Sequence, residues 1–135
     1  MRNLLIGTVL AAALAIAAPP AVAHHSLAAV FDENQPLTLE GVISKVEWIN
    51  PHVHLQLDVT DSTGKVNSWD IEPFPPTTLR RGGLTREKLG LGQKVTMLTF
   101  KSHNGTPRAF LRKITFSDGR ELVIWLGDAS LANTK

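Results

Sequence analysis

The sequence predicts an all-β fold, a small five- to six-stranded OB-like Greek-key barrel with a short helix between strands 3 and 4. Three observations point there. Residues 52 to 60 alternate strictly, with Val53, Leu55, Leu57 and Val59 set against His52, His54, Gln56, Asp58 and Thr60, the period of a strand buried on one face. Turn residues recur at Asp61-Ser62-Thr63-Gly64, His103-Asn104-Gly105 and Ser117-Asp118-Gly119, each between runs of strand-forming residues. In the mature part, helical character is confined to the stretch after the third such run. Three meandering strands, a helical connection, then two strands and an appendage is the order of a barrel that closes and removes most exposed edges. An open antiparallel sandwich is the competing arrangement, because pairing beyond neighbouring hairpins is not written in a sequence.

The elements follow in order. Arg2, the apolar run Leu4 to Ala18, the helix-breaking Pro19-Pro20 and the small-x-small Ala21-Val22-Ala23 form a cleavable secretory signal over residues 1–23. The run is shorter than the roughly 20 residues that a spanning helix needs, and no second candidate follows. Residues 24–36, with no sustained period, read as an N-terminal arm. The barrel domain occupies 37–126 and a loose tail 127–135.

Within the barrel, Leu37 to Ile49 is a long strand carrying Val42, Ile43, Val46 and Trp48, with Gly41 placed where a bend would let it curve, and Asn50-Pro51 ends it. The alternating strand then turns into a return strand from Lys65 to Glu72, which Pro73, Pro75 and Pro76 stop because proline has no N–H to give the ladder. Short helical turns are expected at 77–81 and 85–89, with Thr85 as an N-cap. Strands at 93–101 and 108–116 and a last short one at 121–125 complete the set.

Removing 23 of the 135 residues leaves 112 and takes Lys plus Arg from 14 to 13 against 12 Asp plus Glu. That near-neutral balance and the exported location disfavour a nucleic-acid partner, which needs several phosphate contacts. The chain has no cysteine, so disulfides, thiolate metal sites and cysteine nucleophiles are excluded. No motif places a serine beside a base, and no phosphate loop or dinucleotide fingerprint appears.

Histidine is the most informative residue type. Cleavage after Ala23 makes His24 the first residue, whose free amine and ring nitrogen can chelate one ion. His52 and His54 stand at i and i+2 on the polar face of one strand, about 7 Å apart, near enough for both rings to approach one ion. His25 and His103 are candidate additions to either set. Nitrogen-only ligands favour copper first, with zinc behind it. The bland alternatives are a frayed terminus for His24 and His25 and an ordinary polar strand face for His52 and His54. Asp58 reads as a solvated charge or as an acceptor orienting an imidazole.

Trp48 and Trp69 are candidates for a ligand platform, with core packing as their alternative. Arg80 and Arg81 open a basic cluster that continues through Arg86 and Lys88, either an anion site or a solvated helix face. Two binding roles follow. One is a periplasmic or secreted protein that holds a metal ion; the other is an envelope module that takes a glycan, peptide or protein partner without metal. A monomer or weak dimer is expected, and a copper oxidase ranks behind both roles.

Several motifs together resemble one family. They are His24-His25-Ser26, Phe31-Asp32, Leu39-x-Gly41-x-Ile43-x-x-Val46-x-Trp48-x-Asn50-Pro51-His52, Leu79-x-Arg81-x-Gly83-x-Thr85-x-x-x-Leu89-x-x-Gly92 and Asp118-Gly119-Arg120. The chain resembles small exported bacterial proteins of domain-of-unknown-function family 6152, over nearly all of its mature length. The resemblance implies an envelope location and a small β-barrel-like fold, and it implies no reaction.

Overall fold

A computed structural model describes residues 27–124. One helical turn, α1 (Leu27–Val30), leads into β1 (Phe31–Trp48), β2 (Val53–Thr60) and β3 (Val66–Glu72). The short helix α2 (Pro76–Arg81) and a 3-10 turn (Arg86–Lys88) follow, then β4 (Lys94–Ser102), β5 (Arg108–Phe116) and β6 (Glu121–Val123). The helix thus stands between the third and fourth strands, as expected. Among the described residues no helix is long and apolar enough to cross a membrane. The expected signal segment, His24, His25 and the tail lie outside the described residues.

The sheet order is β3-β2-β1-β4-β5-β6, and a further pairing of β3 with β5 brings its two sides together. All neighbours are antiparallel except this last pair, which is parallel and joins Asp70, Ile71 and Glu72 to Arg108, Ala109 and Phe110. Closure of this kind satisfies backbone groups that an open edge would leave to solvent. β1 serves two partners, β4 along its first two-thirds and β2 along its last third. Gly41 sits at the handover. A Cβ there would stand 2.5 Å from the backbone oxygen of Asp58, so only glycine lets the two strands approach this closely.

β1 begins at Phe31, six residues before the strand start that the sequence pattern gives. The pairing of β1 with β4 is irregular between Asp32 and Pro36. Asp32 holds that irregularity by accepting from the Asn34 backbone N–H at 3.0 Å and from the Gln35 side-chain amide at 2.9 Å. The polar run Glu33-Asn34-Gln35 therefore belongs to an interrupted strand and not to an arm.

The interior is almost wholly aliphatic. Val53, Leu55 and Leu57 of β2 meet Ile43, Ile71, Met97, Leu111 and Ile114 there, with Leu79 and Leu84 of the connection closing one end. A second, smaller cluster of Phe31, Phe100 and Phe110 is separate from it. Strand alternation puts Phe110 on the face opposite Ala109 and Leu111, so this cluster lies on the outside of the closing strands. α1 covers it with Leu27 and Val30.

Candidate functional site

Five charged or ionisable side chains meet on the outer face of β2, β3 and β5. Alternation puts His52 and His54 on that face, and the hairpin register carries Asp70 and Glu72 past them. The parallel pairing then brings Arg108 opposite Asp70. His52 Nδ1 lies 2.9 Å from Glu72 Oε1, and His54 Nδ1 lies 3.1 Å from Asp70 Oδ1. Arg108 donates to the second oxygen of Glu72 and stands 3.6 Å from Asp70 Oδ2 through Nε. The result is a continuous series, His52, Glu72, Arg108, Asp70, His54, in which one guanidinium ties two carboxylates and each carboxylate holds one imidazole.

A carboxylate oxygen accepts, so in both rings Nδ1–H donates and a neutral imidazole keeps its lone pair on Nε2. This is the arrangement by which an outer carboxylate orients a metal-ligating histidine. The two ring centroids are 6.5 Å apart. Their planes are inclined by 45°. Glu72 is the least exposed member at 13%, whereas His52 is 57% exposed. Beside His54, the Lys45 ammonium holds the Glu47 carboxyl below its ordinary value, chiefly by hydrogen bonding. Among the described residues no group of three or more His, Asp or Glu is arranged to hold a metal ion.

A cavity of about 350 Å³ opens beside this series, lined by His52, Glu72 and Arg108 at one end and by Phe31, Phe74 and Phe110 along its wall. Leu27 and Val30 of α1 also line it.

The family model described as "Family of unknown function (DUF6152)" matches residues 11–110. The chain belongs to this family. The matched span contains all five residues of the charged series and ends at Phe110, leaving out the rest of β5 and all of β6. No curated protein matches the chain, and no solved structure does. In this family member the remaining sequence-predicted residues are dispersed.

His103 is not beside the histidine pair: its Nε2 lies 3.1 Å from the Ala28 carbonyl oxygen, and its backbone N–H donates to Val30 O at 3.1 Å. A carbonyl only accepts, so Nε2 carries the proton and His103 clamps α1 over the cavity. Trp48 and Trp69 are partly buried and pack against the main core, the packing role of the two weighed for them. Trp69 pairs with Leu57, and Trp48 with Val53, both inward-facing residues. Arg80 and Arg81 close the last turn of α2, where a basic residue suits the helix terminus. Asp58 accepts from the Ser68 hydroxyl and orients no imidazole.

Asp70, Glu72 and Arg108 were not singled out by the sequence as partners of the histidines. The hairpin register that follows from the Asp61–Gly64 turn sets Asp70 opposite Gln56 and Ile71 opposite Leu55, so each carboxylate reaches its histidine along the diagonal and that signal was available; for Arg108 it was not.

Proposed function

We propose that this is an exported periplasmic protein that binds a transition metal, copper first and zinc second, on His52 and His54 together with His24 as the mature N-terminal residue. One observation carries the reading: Leu27 lines the same cavity as His52. Three residues of extended chain span at most about 11 Å, so a mature chain that starts at His24 starts within that length of Leu27. The carboxylates on each Nδ1 support it, since they fix which nitrogen faces a ligand. His103 adds to the same end by holding α1 in place. His25 is the adjacent spare ligand. The protein carries or buffers its metal, and cleavage of the expected signal segment after Ala23 makes the N-terminal amine.

Calorimetric titration of protein that begins at His24 tests this. Cu²⁺ is expected to bind tighter than about 10 μM, and replacing His52 and His54 together by Ala weakens it at least about tenfold. A chain extended by one Met before His24 loses the amine and binds more weakly. No Cu²⁺ or Zn²⁺ binding below about 10 μM overturns the reading and leaves the metal-independent one, a module for a glycan, peptide or protein partner.

A further inference from the structure

We propose that the cavity under α1 binds a small neutral aromatic molecule bearing one hydroxyl donor, a phenol-type compound. The site shares His52 with the metal reading but does not rest on it.

The wall sets the body of the guest. Phe110 meets Phe74 edge-on at 4.9 Å and Phe31 at a tilt at 5.6 Å, so three rings present faces and edges at differing angles. Flat guests gain offset and edge contacts from such a wall beyond their buried area. A volume of about 350 Å³ is at the small end of ligand sites and takes one or two fused rings. Pro73 and Pro75 flank it and donate no backbone hydrogen bond to a peptide strand, which argues against an extended chain as the occupant.

The polar end sets the charge and the functional group. Arg108 donates to Glu72 there through a terminal nitrogen, its buried Nε stands 3.6 Å from Asp70 Oδ2 without a hydrogen-bond partner, and the guanidinium also lies over the Phe31 ring at 5.6 Å. An anionic guest meets the Glu72 carboxylate and a cationic one the Arg108 guanidinium, so a neutral guest meets the least repulsion. His52 commits Nδ1 to Glu72, so the nitrogen it offers a guest is Nε2, an acceptor. An acceptor at the polar end of an aromatic cavity selects a ring that carries an O–H.

The test uses the processed chain, treated with chelator so that metal plays no part, and compares 1-naphthol with its methyl ether and with 1-naphthalenesulfonate. Naphthol is expected to bind about tenfold tighter than the ether, one hydrogen bond's worth, and tighter than the sulfonate. His52 is largely exposed, so His52→Ala folds normally and brings the naphthol-to-ether ratio close to one. Val30→Trp fills the cavity and removes both. Should that variant not fold, methyl shifts of Leu27 and Val30 on adding naphthol to the unaltered chain locate the guest instead. No binding below about 1 mM, equal binding of naphthol and ether, a ratio that survives His52→Ala, a sulfonate that binds as well as naphthol, or shifts confined to other methyls overturns the proposal.

Discussion

Inside the barrel, aliphatic side chains from five strands and the helical connection meet with almost no exposure; outside, on three of the same strands, three phenylalanines form a thin layer with a cavity on one side and an ion pair at its rim. Ala109 and Phe110 are neighbours in sequence and belong to the two different regions. The inner cluster packs apolar side chains against one another, and its product is stability. The outer one touches Arg108 and Glu72, which hold the candidate site. Burial alone does not separate them, since Phe110 and Leu39 are each 5% exposed. What differs is whether the buried surface ends at other side chains or at a cavity.

That difference can be broken by mutation. Leu57→Ala removes a fully buried inner side chain and is expected to cost about 3 to 4 kcal/mol, lowering the thermal midpoint by well over about 10 °C in a domain of this size. Phe31→Ala deletes a larger group but costs less, about 2 kcal/mol, because one side of that ring already faces the cavity and loses no contacts there. Denaturant titration of the two variants decides it: a larger loss at Phe31 makes the outer layer a second structural core and ends the distinction.

Arg108→Met comes next, at about 1 to 2 kcal/mol, since it leaves Glu72 without its guanidinium in a partly buried place. Adding Glu72→Gln is expected to restore much of that loss while weakening copper binding further, which separates stability from site. A double-mutant cycle in calorimetry reads both.

The smallest effect concerns neither region. Hydrogen bonds and nearby cations hold the carboxyls of Glu40, Glu47, Asp61, Asp118 and Glu121 below their ordinary values; Glu47 is half-buried and the other four are exposed. A carboxyl lowered in the folded state contributes stability above its unfolded value and loses it as pH falls through its folded one. The urea midpoint is therefore expected to drop modestly between about pH 5 and about pH 3, and by the same amount in Phe31→Ala as in the unaltered chain.

Much of the fold was legible because its strands are half-buried hairpins. The alternation through residues 52–60 located β2 and its inward face, and Arg108–Phe116 was found with the bounds the structure gives. The start of β1 was hidden because the loop-out held by Asp32 replaces alternation with Glu33-Asn34-Gln35. For the site, the His52 and His54 pairing was written in the period of two. Their link to Arg108 was not, because it depends on a parallel contact between segments far apart in the chain, and such contacts leave no local pattern. The outer cluster did leave a trace: Ala109, Phe110 and Leu111 are consecutive and apolar, the mark of a strand covered on both faces.

The barrel is fastened at its last join by three residue pairs, and two of them carry Asp70, Glu72 and Arg108. The clasp of the hoop and the holder of the histidines are thus one object. A guest that binds only while the clasp is shut makes the hoop harder to pry apart, in proportion to the logarithm of its concentration over its dissociation constant. Pulling β3 away from β5 in a force experiment would then report occupancy directly, without any assay of what the guest does.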